Sequence, residues 1–347
     1  MRTSIGLTIK QAVLFFLVFI ISIISSSVAL PGEISESLEQ LSSLQENQID
    51  IGRVCLLFAK EAYPDLDADA YSKKLDQMVK EIQRLTGNNT EPDHRIRALN
   101  TYLYLDQGFH YDTEDPYGHK LKNRYINGLL DTKSGSCFTI PLLYLALAQR
   151  LGYPVYPVSA PQHLFLRYVD PNLKMQNIEA TGGGGYSPNE AYINDMEIPR
   201  RGIETGAYLK AMSYKELLAE LFAENAIYWA KNHNAPKATR YFEESLRLNP
   251  KNAEVYSSFG NFYFELAKYE LEKYQNGYPF PQVSSNPLVQ RQIRTSQLEY
   301  RNILISKSKE FMRKAEELGA APPLPRNYWL IQEQNRKEHK FSMEVKQ

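Results

Sequence analysis

Cysteine is scarce in this chain, with only Cys55 and Cys137 among 347 residues. Two cysteines cannot build a disulfide framework, and no paired-cysteine or H-E-x-x-H spacing offers a zinc site. No zinc site is therefore expected, and the thiol chemistry read below needs no metal or organic cofactor. Net charge is also lacking, because Lys plus Arg and Asp plus Glu number 40 each. A binder that neutralises phosphates needs a cationic excess, so nucleic acid is not an expected partner. An anionic membrane surface has no reason to attract it either. The N-terminal apolar run, Ala12 to Ile24, is short of the roughly 20 residues that span a bilayer. It follows Arg2 and Lys10 and leads into Ser27-Val28-Ala29, the arrangement of a cleavable signal peptide over residues 1–30. The alternative is an uncleaved anchor, and only then would the membrane be a partner. Either reading puts the protein outside the cytoplasm, periplasmic or secreted. With so few cysteines in an oxidising compartment, either the two pair or Cys137 is kept as a free thiol.

At this length two domains are expected, and 43% hydrophobic with 23% charged residues is a soluble globular composition. Residues 33–130 read as helical. Leu38, Leu41 and Leu44 share one face, and Val54–Ala62 follows, with Cys55 as a small buried residue. Ala68–Leu85 places Tyr71, Leu75, Met78, Val79 and Ile82 at helical spacing, and a further helix begins near Asp93. Residues 131–200 change character. An apolar helix from Ile140 to Leu151 stops at Gly152 and Pro154. Strand-formers then fill Val155–Val158 and His163–Val169, Asp170-Pro171-Asn172 makes a turn, and Gln176–Ala180 returns. Gly182–Gly185 must turn sharply or lie close to a neighbour, substrate included. From Met212 the chain is helical again and repeats. Leu221–Lys231 and Ala238–Leu248 pair up, and Ala253–Tyr263 opens a second unit. An insertion at Tyr278–Pro287 interrupts it, Ile293–Leu318 resumes it, and a polar tail fills 326–347. Helices, a small sheet and more helices make an α+β chain.

Cys137 stands in Ser134-Gly135-Ser136-Cys137, at the mouth of the apolar helix. The positive end of a helix favours the thiolate, which is the reactive form of the thiol. Pro141 is tolerated only in a first turn, so the helix should begin around Ser136 to Thr139. Backbone N–H groups there suit part of an oxyanion hole. His163 and Glu179 each lie eight residues from Pro171. A hairpin centred on Pro171 would set them opposite one another, and a one-residue slip would put Glu179 on the other face. In that register Glu179 orients His163, and His163 takes the Cys137 proton. His110, Asp112 and His119 read as surface polar residues rather than metal ligands.

Ser134-Gly135-Ser136-Cys137 before a Leu/Ala-rich helix, Gly152-Tyr153-Pro154-Val155, His163-Leu164-Phe165 and Asn177-Ile178-Glu179-Ala180-Thr181 together resemble the transglutaminase-like superfamily, whose core is papain-like. The resemblance spans roughly residues 35–320 and is nearest to the SirB-type branch. Phe259-Gly260-Asn261-Phe262-Tyr263, with Ala238, Phe242 and Pro250 in the preceding unit, resembles tetratricopeptide repeats. The resemblance implies a transglutaminase-like domain over 33–205, with helical part 33–130 and catalytic core 131–200, and a repeat domain over 212–325. It implies Cys137, His163 and Glu179 as nucleophile, base and acid. Three positions depart from the family pattern. Glu179 stands where Asp is common, Gln162 where Gly often precedes the His, and Phe165 where Trp often follows it. Two functions stay open. One is a thiol enzyme acting on amide or peptide bonds of a protein or peptide substrate, by hydrolysis, deamidation or acyl transfer. The other is a non-catalytic papain-like fold that binds a protein partner through its repeat helices.

Overall fold

The computed structural model describes residues 40–115, 118–275, 287–325 and 328. The expected signal peptide or anchor, the 278–287 insertion up to residue 286 and nearly all of the polar tail lie outside them. Two units are present, Met1–Gln45 and Glu46–Gln347. In the first, residues 40–43 are helical. Among the described residues no helix is long and apolar enough to cross a membrane.

In the second unit, capping residues fix where the helices begin. Asp50 accepts from the Arg53 N–H to start α1 (Ile51–Ala59), and Asp67 does the same from Ala70 for α2 (Ala68–Thr86). Leu75, Met78, Val79 and Ile82 are buried on α2, as their spacing requires. The α3 helix (Pro92–Asn100) runs on through a π-type turn, Thr101–Asp106. Then β1 (His110–Tyr111) pairs in parallel with β2 (Ser134–Gly135), which follows α4 (Ile126–Thr132). Two-residue strands carry no alternation, so this pairing leaves no trace in the sequence pattern.

The centre of the unit is α5 (Thr139–Arg150), in which every residue from Thr139 to Ala148 is buried. A helix apolar on all sides needs cover on all sides. α1, α2, α4 and two strands supply it. Those strands are β3 (Val155–Ala160) and β4 (His163–Tyr168), and with β5 (Asn177–Ile178) they form an antiparallel sheet of order β3-β4-β5. α6 (Asn189–Asp195) and α7 (Arg200–Thr205) follow. A cluster of Val158, Phe165, Tyr192, Met196 and Tyr208 fills the space beside the sheet, with Cys137 packed at its margin.

Four longer helices complete the chain. α8 (Tyr214–Lys231) starts at a reciprocal Ser213–Glu216 capping box. It is followed by α9 (Ala235–Leu248), α10 (Ala253–Gln275) and α11 (Pro287–Leu318). Phe259 stacks between Phe242 and Phe311 at centroid separations of 4.7 and 4.4 Å. Gly260 lets α11 approach, since a Cβ there would sit 3.0 Å from Met312. These helices are joined to the rest of the unit by buried contacts. Phe58 meets Phe222 edge-on at 4.9 Å. The Lys237 ammonium lies 2.5 Å from Glu61 and 3.7 Å from the Trp229 ring centroid. Arg124 pairs with Glu224 at 2.8 Å, and the Tyr125 hydroxyl donates to Asn225. The chain is thus α+β, helices around small sheets.

Candidate active site

Cys137 sits two residues before the first residue of α5, with Phe138 at the cap position. Ser136 shapes this entry. Its hydroxyl accepts from the N–H groups of Phe138 and Thr139, while the Thr139 hydroxyl accepts from the Ser136 N–H. Pro141 falls in the first turn, where its missing N–H costs nothing. Both cysteines are free thiols, so no Cys55–Cys137 disulfide exists. Cys55 is buried, and burial pushes its thiol far above the ordinary range.

His163 is the first residue of β4, presented by a two-residue turn of Pro161 and Gln162. Gln162 adopts a φ of 52°, the left-handed region that favours glycine. That accounts for the glycine common at this place in the family pattern. Strained backbone of this kind persists where surrounding structure holds it. Here it aims the Gln162 carbonyl at Cys137, whose thiol donates to it at 3.7 Å.

The sheet register corrects the hairpin expected from the sequence. Leu166 pairs with Ile178 and Arg167 with Asn177, which centres the hairpin on residue 172 rather than 171. The slip is two residues in the partner strand, so the face is kept. Glu179 becomes a diagonal neighbour of His163 instead of its direct opposite, and its longer side chain spans the offset. The Glu179 Oε2 lies 2.8 Å from His163 Nε2.

Glu179 is held from all sides. Its Oε1 accepts from the Thr181 N–H and hydroxyl at 3.0 and 2.5 Å. Its Oε2 also accepts from the Tyr192 hydroxyl at 2.9 Å. Burial alone would raise its pKa. The His163 charge and the hydrogen bonds from His163, Thr181 and Tyr192 outweigh burial and hold the carboxyl down at about 2. Burial alone would lower His163. The Glu179 carboxylate, with hydrogen bonding to Cys137 and Glu179, reverses this and lifts the imidazole to about 10. Tyr192 was not legible in the sequence. It sits on the short helix α6, where one tyrosine among 24 carries no signal. Only the fold reveals its ring stacked on Phe165 at 4.1 Å.

The glycine run holds the backbone of Glu179. The Glu179 N–H donates to the Gly185 carbonyl at 2.7 Å, and the Gly184 N–H to the Glu179 carbonyl at 3.0 Å. Gly184 has a φ of 75°, and a Cβ there would fall 2.0 Å from the Asn100 side chain. Sharp turn and close approach are therefore both present.

Cys137 and His163 open on a cleft of about 310 Å³. His119 and Arg124 line it from the N-terminal half of the unit. Glu220 and Glu224 of α8 and Glu254 of α10 line it from the C-terminal helices. Asp112 is buried, not a surface residue as its polarity suggested. It accepts from Asn123 and the Glu114 N–H, and so shapes the loop behind this cleft. Among the described residues no group of three or more His, Cys, Asp or Glu side chains could hold a metal ion.

The transglutaminase-like superfamily pattern matches residues 69–221, a span that contains all three of these side chains. Residues 69–221 are a transglutaminase-like superfamily domain. Homologues of the chain are UPF0162 proteins. One from Xylella fastidiosa strain 9a5c is 22% identical over 251 residues, covering 69% of this chain and 88% of that protein. One from Haemophilus influenzae is 29% identical over 94 residues, 27% of this chain and 34% of the relative. Human F-box only protein 21 is 34% identical over 73 residues, 21% of this chain and 11% of that protein. Among solved structures, menin aligns at a TM-score of 0.36 and 13% identity, over 86% of this chain and 88% of that one. The transglutaminase-like domain thus includes the whole sheet and the helix that carries Cys137 at its mouth.

Proposed function

We propose that this protein is a thiol enzyme that cleaves or exchanges amide bonds, with Cys137 as nucleophile, His163 as proton shuttle and Glu179 as the acid that orients His163. One observation carries the reading. His163 commits Nε2 to Glu179 at 2.8 Å, and Cys137 and His163 line one cleft, with Cys137 among the groups that lift the imidazole. A thiol, an imidazole and a fixed carboxylate in contact are the parts of nucleophilic acyl transfer.

The steps balance without a cofactor. An imidazole lifted to about 10 already holds its proton at neutral pH, so the reactive form is a Cys137 thiolate beside the His163 imidazolium. The thiolate attacks the amide carbonyl, and the positive end of α5 favours the charge that develops on the oxygen. The C–N bond breaks, and His163 protonates the departing amine. Water, deprotonated by His163, then attacks the thioester and releases the acid and the free thiol. An amine in place of water gives transfer. Hydrolysis is the preferred outcome, because it needs no second substrate.

Iodoacetamide should alkylate Cys137 quickly at neutral pH, and His163→Ala should slow that alkylation by about tenfold or more, the usual scale of lost base assistance. Mass spectrometry of the Cys137 peptide reads the rate. Equal rates in the two proteins, matching a free thiol, would sink the proposal.

Two finer readings accompany it. The paired helices α8–α9 and α10–α11 are read as tetratricopeptide-type units in a SirB-type arrangement, supported by the buried Ala238, Phe242, Phe259 and Tyr263. Residues 1–30 are read as an export signal, supported by their charge and apolar pattern. Sequencing the N-terminus of the native protein should then start near Leu30, and a start at Met1 in a soluble fraction counts against export.

A further inference from the structure

The cleft has two walls of different origin. Cys137 and His163 stand on one. On the other, α8 presents Glu220, Ala223 and Glu224, and α10 presents Glu254, Val255 and Ser258. The nucleophile therefore faces the C-terminal helices, and a substrate that reaches Cys137 must lie against them.

The charges on that wall are unevenly matched. Glu224 is paired with Arg124 at 2.8 Å. Lys231, also in the lining, has Glu224 and Asp115 as its attractive charges. Glu220 takes only a hydrogen bond from the neutral Asn252 side chain, at 2.7 Å. Glu254 takes only one from the neutral Tyr208 hydroxyl. Neither has a cationic partner among the described residues.

Half-buried carboxylates without a countercharge burden a fold, and in a cleft they are candidates for a binding function. Burial, opposed by the Asn252 bond and reinforced by the charges of Glu254 and Glu224, pushes Glu220 up to about 7. Burial raises Glu254 as well. A cationic group entering the cleft supplies the missing countercharge to both.

Resting on the reading of Cys137 as nucleophile, we infer that the wall built by α8 and α10 is the substrate-recognition face of this cleft, and that Glu220 and Glu254 select an amide substrate bearing a positively charged side chain. The chemistry is that of a lysine- or arginine-like group held across the cleft from the scissile carbonyl. The cleft volume lies at the small end of ligand sites, which suits one extended side chain rather than a folded partner.

Three iodoacetyl probes with one warhead test this on the full chain: neutral iodoacetamide, cationic N-(4-guanidinobutyl)iodoacetamide and anionic N-(4-sulfobutyl)iodoacetamide. Saturable labelling of Cys137 is measured for each. In the wild type the cationic probe should exceed the anionic one by at least about tenfold, on the scale of a close, partly desolvated charge contact. In the Glu220→Gln/Glu254→Gln variant the ratio of the two charged probes should fall to near one, with iodoacetamide measuring any general change in thiol reactivity. Gln keeps an acceptor for Asn252 and Tyr208, so the wall should stay folded, and single Glu220→Gln gives an intermediate ratio if both groups act. Equal rates for the charged probes in the wild type overturn the inference, as does a ratio that survives in the double variant. Slow iodoacetamide labelling that ignores His163→Ala instead overturns the thiol-enzyme reading, so the two failures are distinguishable.

Discussion

Glu179→Gln is expected to lower amide turnover by about 10³–10⁴-fold while Cys137 remains in place, the scale on which a triad acid acts through imidazole orientation and charge. Glutamine can still accept from His163 Nε2, but it cannot stabilise an imidazolium. It can also turn its NH₂ toward that nitrogen, which demands the other tautomer and removes the ring's ability to take the Cys137 proton. The same substitution has a pH signature in stability. His163 is lifted from 6.5 to about 10, so its stabilising contribution is full below 6.5 and fades as pH rises through about 10. Glu179 is depressed from 4.5 to about 2, so its contribution is full above 4.5 and is lost as pH falls through about 2. The wild type should therefore exceed Glu179→Gln most between pH 4.5 and 6.5, by about 2 kcal/mol for a charged, part-buried hydrogen-bonded pair. Urea denaturation across the pH range measures the difference. A gap that is flat with pH, or widest at alkaline pH, contradicts the charged pairing. Rapid turnover by the variant contradicts the role of Glu179.

How much of this site was legible in the sequence depends on the range of the interaction. Cys137, His163 and Glu179 could be named because each stands in a short local pattern: a helix mouth, a strand start and a returning strand. The hairpin register was off by two residues, since loop residues between Val169 and Gln176 do not announce which of them forms the centre. The error left the face correct because side chains alternate with period two. Tyr192 and the far wall of the cleft were not legible. Tyr192 reaches Glu179 through a helix that packs back over the sheet, and Glu220 and Glu254 belong to helices whose pattern describes only their own packing. Contacts set by tertiary folding leave no local periodicity to read. Asp112 was misread for the same reason, because its burial is decided by Asn123 eleven residues on.

Gly184→Ala tests whether the glycine loop holds Glu179 in place. Alanine at a φ of 75° costs about 1–2 kcal/mol in backbone strain alone. Its Cβ would also fall 2.0 Å from Asn100 Oδ1, and the Asn100 amide is itself bound to the Gly184 carbonyl at 2.9 Å. Strain and clash together should cost about 3 kcal/mol. Because Gly184 and Gly185 clamp both backbone groups of Glu179, the displaced loop should tilt the carboxylate and slow Cys137 alkylation. Asn100→Ala removes the clashing side chain at the cost of one hydrogen bond, about 1 kcal/mol. The double variant should then be more stable than the sum of the two singles predicts by about 1–2 kcal/mol, the coupling of residues in direct contact. Gly260→Ala provides the control, since its Cβ meets Met312 between α10 and α11, away from Glu179. It should destabilise the protein while leaving the alkylation rate of the folded fraction unchanged. Additive single costs would show that Asn100 yields freely, and an alkylation rate unaffected by Gly184→Ala would show that Glu179 is positioned by Thr181 and Tyr192 without help from the loop.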